Sequence, residues 1–95
     1  MRKYELMYII RTDLEQDVVD ATMAKVQGII TNGGGEITHH EVWGKRRLAY
    51  EIKKYRDGIY VLVKFNATPE VVAELDRVIR ITDEVLRHLI TKDVA

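Results

Sequence analysis

The sequence predicts an α+β sandwich, a four-stranded antiparallel sheet with two helices packed on one face. Two observations carry this. Hydrophobic spacing changes along the chain in the order β-α-β-β-α-β, alternating every second residue in some stretches and every third or fourth in others. Each βαβ half must also cross over right-handedly, which sends both helices to the same side of the sheet. A chain of 95 residues, 1–95, is sized for one domain with a single core. With 46% apolar and 32% charged residues it has the composition of a folded, soluble protein.

Lys3 to Ile10 reads as the first strand, with Tyr4, Leu6, Tyr8 and Ile10 facing the core and Lys3, Glu5, Met7 and Ile9 on an open face. Arg11 to Leu14 turns into a helix. Thr12 with Glu15, and Asp13 with Gln16, both have capping-box spacing, in which a side-chain oxygen satisfies an orphan amide of the first turn. Val19, Met23, Val26 and Ile30 then form the buried stripe of an amphipathic helix of about five turns. Gly33, Gly34 and Gly35 end it. They follow a helix rather than precede one, so they suit a C-cap and not a phosphate cradle.

Residues 36–52 form a long second strand. Gly44 interrupts it, where a bulge or a close backbone approach is the usual reason. A turn containing Asp57-Gly58 leads into a third strand, Ile59 to Phe65, with Ile59, Val61, Val63 and Phe65 on its more apolar face. Thr68-Pro69-Glu70 starts a second helix: an N-cap hydroxyl, a proline at the first turn, then an acid. Val71, Val72, Leu75, Val78 and Ile79 supply its apolar stripe. Val85 to Thr91 is the last strand, and periodicity does not decide which of its faces is buried. The whole is a ferredoxin-like arrangement with strand order 4-1-3-2, which leaves 36–52 on an edge.

The net charge is zero, yet it is segregated. Between Lys45 and Arg56 there are six basic residues against one acid, Glu51, so this segment carries +5 and the remainder −5. A concentrated positive field on a neutral protein is a statement about partners. There is no cysteine, hence no disulfide and no thiolate metal site, which fits a reducing compartment. The N-terminal apolar run, Leu6 to Ile10, is too short for a signal-peptide core or a membrane span, and the expected location is cytoplasmic, away from membranes.

Catalysis finds little support. His39 and His40 are adjacent on a strand and point to opposite faces, so they do not share an ion. His88 stands alone. Enzymes of this fold that hold phosphate after the first strand need a glycine-bearing loop, and Arg11-Thr12-Asp13-Leu14 has none, with an acid where the anion would sit. No enzyme activity, metal or cofactor is expected. RNA-recognition motifs of this topology stack bases on third-strand aromatics, but Asp57-Gly58-Ile59-Tyr60-Val61-Leu62-Val63 lacks them at the required positions. Cations for phosphates remain: Arg46 and Arg47 offer bidentate forks, and Lys53 and Lys54 offer point charges on a turn. A merely solubilising basic surface is the competing reading.

Specific residues separate these. Met1-Arg2-Lys3-Tyr4-Glu5, Gly44-Lys45-Arg46-Arg47-Leu48-Ala49-Tyr50-Glu51-Ile52 and Gly58-Ile59-Tyr60 resemble the bacterial small-subunit ribosomal protein six family. The G-x-R-x-L-A-Y element is the specific part, and length and element order agree along the whole chain. The resemblance implies a non-catalytic structural protein of the small ribosomal subunit. It implies binding to the central domain of small-subunit ribosomal RNA together with ribosomal protein eighteen, and a monomer outside the ribosome. Some relatives extend past the last strand in a flexible or acidic tail, whereas this sequence stops at Ala95.

On this reading Arg2, Lys3, Lys45, Arg46, Arg47, Lys53, Lys54, Arg56 and Arg87 position RNA phosphates and sugars, with Tyr50 at the rim. The open-face residues Met7, Ile9 and Leu62 are candidates to face the protein partner, and Arg46 and Arg47 are alternative candidates for that side. The alternative from another class is a homo-oligomeric small-molecule-binding domain of the same fold that self-associates through its edge strand.

Overall fold

A computed structural model of the chain describes residues 1–93. Six elements follow in order: β1 (Arg2–Ile10), α1 (Gln16–Asn32), β2 (Glu36–Ile52), β3 (Tyr55–Ala67), α2 (Pro69–Arg80) and β4 (Val85–Lys92). All neighbouring strands pair antiparallel in the order β2-β3-β1-β4, which is the 4-1-3-2 arrangement the sequence predicts.

The core lies between the sheet and the helices. Tyr4, Leu6, Tyr8 and Ile10 of β1 meet Val61, Val63 and Phe65 of β3 under Val19, Val26 and Ile30 of α1 and Leu75 and Ile79 of α2. Tyr4 stacks on Phe65 with ring centroids 5.7 Å apart. Register settles the face of β4: His88 pairs with Tyr8 and Ile90 with Leu6, so they lie on the helical side, while Arg87 and Leu89 lie with Ile9 and Met7 on the open side. His88 Nε2 sits 2.7 Å from Asp76 Oδ1 of α2, a structural role.

The structure corrects the sequence reading in two places. The central turn is Lys53-Lys54, not Asp57-Gly58. Both lysines have positive φ, 50° and 71°, the left-handed conformation that a tight two-residue hairpin turn demands. Gly58 instead lies inside β3, opposite Arg46. It is glycine because a Cβ there would come within 2.2 Å of Ile9 Cγ2. The capping boxes are not formed either. The N-cap of α1 is Glu15, with no side-chain cap. Thr12 and Asp13 are committed elsewhere: Thr12 Oγ1 donates to Asp57 at 3.0 Å, and Asp13 accepts from the Tyr55 hydroxyl at 2.7 Å. A tertiary tie has taken the residues that local chemistry offered to the helix.

Other signals hold. Thr68 caps α2 with Pro69 behind it. Gly34 closes α1 at φ 85°, and the Gly35 amide donates to the Ile30 carbonyl. Gly44, also at φ 85°, sits where the β2–β3 register shifts between Val42 and Gly44, a bulge at Trp43.

Candidate nucleic-acid interface

The β2–β3 hairpin outruns the sheet. β1 ends at Ile10, opposite Ile59, so residues 46–58 project beyond it. Between Arg47 and Ile52 the register shifts again, and the chain bows over the open face of the sheet. Leu48, at the centre of the bow, is buried against Ile9 and Leu86 in a small second core. This contact holds the projecting hairpin in one place. The Thr12–Asp57 and Asp13–Tyr55 hydrogen bonds hold it from the loop after β1.

The cations are presented on that support. Lys45, Arg46, Arg47 and Arg56 line a surface hollow of about 470 Å³ together with one acid, Asp57. Lys45 Nζ lies 3.4 Å from Asp57 Oδ2, so part of the charge is balanced within the hollow. The Thr12 hydroxyl, and behind it Lys45 and Arg47, hold the Asp57 carboxyl below its usual range. Arg46, Arg47, Lys53, Lys54 and Arg56 make no ion pair among the described residues. By contrast, Arg77 and Arg80 on α2 are bound to Glu74 and Asp76, and Arg11 to Asp13 and Asp83. Five cations without an ion pair thus share the hairpin, and Arg2, Lys3, Lys25, Lys64, Arg87 and Lys92, which also lack one among the described residues, lie elsewhere.

The residues singled out from sequence divide into three groups. Lys45, Arg46, Arg47, Lys53, Lys54 and Arg56 come together on the hairpin. Arg87 joins their flank from β4, its guanidinium hydrogen-bonded to the Tyr50 hydroxyl. Arg2 and Lys3 do not join them. They pair with Ala67 and Asn66 at the far end of β3, near the opposite end of a molecule 37 Å long.

On the open face, Met7 pairs with Leu62 on one side and Leu89 on the other. Ile9 and Leu62 are largely covered already, at 7% and 9% exposure, whereas Leu89 is 63% exposed. Met7, Leu48, Tyr50, Tyr60, Arg87 and Leu89 help line a hollow of about 290 Å³. Sequence reasoning missed Leu48, Leu89 and Trp43. For Trp43 the available signal was Gly44: the bulge it permits brings the indole parallel to the Tyr60 ring, 6.5 Å away. No group of three or more His, Cys, Asp or Glu residues converges on a metal-sized site among the described residues. No helix among them is long and apolar enough to cross a membrane.

Comparison with known proteins places this geometry. The family model described as ribosomal protein S6 matches residues 3–92. The chain belongs to the ribosomal protein S6 family. It is 52% identical over 93 residues to the small ribosomal subunit protein bS6 of Clostridium kluyveri, covering 98% of each chain. It is 50% identical over 92 residues to that of Moorella thermoacetica, covering 97% of this chain and 94% of the relative. The crystal structure of 30S ribosomal protein S6 from Thermotoga maritima superposes with a TM-score of 0.92 at 31% identity, over 97% of this chain and 87% of that one. The S6 family is one of structural ribosomal proteins of the small subunit, not of enzymes, and the ferredoxin-like fold is shared with it.

Proposed function

We propose that this chain binds small-subunit ribosomal RNA through the cations of the β2–β3 hairpin, jointly with ribosomal protein eighteen docked on the open sheet face. The observation that carries the reading is the Lys53-Lys54 turn. Two consecutive non-glycine residues in the left-handed region are costly, and asparagine-glycine would serve the backbone better. Backbone strain kept at a projecting tip, beside Lys45, Arg46, Arg47 and Arg56, is explained by the charge it places there.

The contacts to phosphate and sugar position the protein and do not read sequence. Arg87 and Tyr50 border the same surface. Arg2 and Lys3, at the other end of the sheet, make a separate contact. The protein partner uses the apolar row Met7, Leu62 and Leu89, with Ile9 beneath Leu48 as its support. A small basic hairpin on a neutral protein gives modest RNA affinity alone, and a basic partner adds the missing charge.

The test is RNA binding of the isolated protein and of the pair at ~0.15 M salt. The pair is expected to bind more tightly. Equal affinity of the isolated protein would contradict shared binding. The hollow of about 290 Å³ is what favours the alternative, a homo-oligomeric small-molecule-binding domain. A monomer on size exclusion that shifts only with RNA and partner would exclude it.

A further inference from the structure

The open face carries an aromatic feature on β2, beside the basic tip of the hairpin. Trp43 sits on the bulge of β2, an edge strand, and is 40% exposed. Its ring lies parallel to Tyr60, with an interplanar angle of 6°. The Arg46 guanidinium lies over it, 5.7 Å from the ring centroid.

We propose that Trp43 is a stacking platform for one unpaired base of the bound RNA, with Arg46 leaving the ring to take the adjoining phosphate. This rests on the RNA-binding reading and adds a contact to a base, where the cations contact only the backbone. An exposed indole backed by a second parallel ring is a preformed surface for a nucleobase, which has a π-face whatever its identity. A guanidinium near the outer limit of cation–π distance on an exposed ring is weakly held and readily exchanged. Its planar fork is the group best matched to phosphate. Arg46 also lines the basic hollow, so the ring and the phosphate site share a side chain.

Glu41, paired with Leu62 on the same open face, lies two residues before the ring. Hydrogen bonding to His39, and next to the Trp43 indole, holds its carboxyl below the usual range. A carboxylate beside the indole repels phosphate there and accepts from base amino groups, so the base is turned inward and the backbone outward. The edge position of β2 lets a base displaced from an RNA loop reach the ring without crossing the sheet.

Trp43 is the only tryptophan of the chain, so protein labelled with 5-fluorotryptophan gives one fluorine resonance. The probe is a transcript of the central domain of small-subunit ribosomal RNA, with unlabelled ribosomal protein eighteen. The resonance is expected to shift when the transcript is added to the protein pair. Trp43→Ala is expected to weaken binding by about tenfold to a hundredfold. The salt slope should not change, because no charge is removed. Trp43→Phe is expected to retain most of the affinity, and thermal unfolding identifies any variant that loses binding by losing the fold. Unchanged binding by Trp43→Ala, with Lys54→Ala weakened, overturns the stacking proposal and leaves the RNA-binding reading standing. Unchanged binding by both removes that reading as well. If Trp43→Ala weakens the protein pair in the absence of RNA, the indole serves the protein partner and the stacking proposal fails.

Discussion

Thr12 Oγ1 donates to Asp57 Oδ1 at 3.0 Å, tying the loop after β1 to the root of the basic hairpin. The two residues are 45 positions apart, so the bond restrains hairpin against sheet rather than shaping either alone. Thr12→Val keeps the branched shape and removes the donor. Hydrogen exchange in the hairpin around Asp57 should quicken, while amides of the core strands keep their protection. Equal protection throughout would show that Leu48 and the Asp13–Tyr55 bond hold the hairpin without it.

The same bond gives a pH dependence. The Asp57 carboxyl is lowered by Thr12 first and by Lys45 and Arg47 after it, from a reference value of 3.8. A depressed carboxylate contributes stability that is complete above its unfolded value and is lost as pH falls through the lower folded value. Wild type should therefore exceed Asp57→Asn in stability by a constant margin above about 3.8, and that margin should shrink as the pH falls further.

Gly58 is set by Ile9. The Cβ of Gly58→Ala would press on Ile9 Cγ2, and the expected cost is about 1–3 kcal/mol in chemical denaturation. In an Ile9→Ala background, which lacks that methyl, the same substitution should cost less. Additive losses would place the strain elsewhere.

Tyr8 is fully buried, and its hydroxyl finds no hydrogen-bond partner among the described residues. Burial pushes that hydroxyl well above the usual phenol range. Tyr8→Phe removes an unsatisfied group and keeps the ring, so stability should rise by roughly 1 kcal/mol. A loss of stability on thermal or urea unfolding would mean that the hydroxyl is satisfied by water.

How much of this was legible in the sequence follows from the range of each cause. The strands, both helices and the strand order depend on periodicity and crossover handedness, and these appear in the chain as written. The central turn was misplaced because Asp57-Gly58 has turn chemistry and Lys53-Lys54 does not. The glycine answers to a side chain on β1, and the lysines answer to a role outside the backbone. The capping boxes failed for a similar reason: Thr12 and Asp13 bond to Asp57 and Tyr55, more than forty residues away. In the candidate site, the hairpin cations were visible as a local excess of charge. That Arg2 and Lys3 stand apart from them, and that the bulge at Gly44 lays Trp43 beside Tyr60, depend on register, which alternation alone does not fix.

The lysine turn sets stability against binding. Lys54→Gly relieves one left-handed residue and should raise stability by about 1 kcal/mol. RNA affinity should fall with it. A variant that gained stability at no loss of binding would show that the strain serves nothing at the RNA.

The most direct test is the salt dependence of RNA binding by the protein with its ribosomal partner, comparing wild type with Lys53→Ala, Lys54→Ala and the double variant. If these side chains meet phosphate, the slope of log affinity against log salt becomes shallower by about one per lysine. Parallel lines for all four proteins would contradict the assignment of the hairpin tip to RNA.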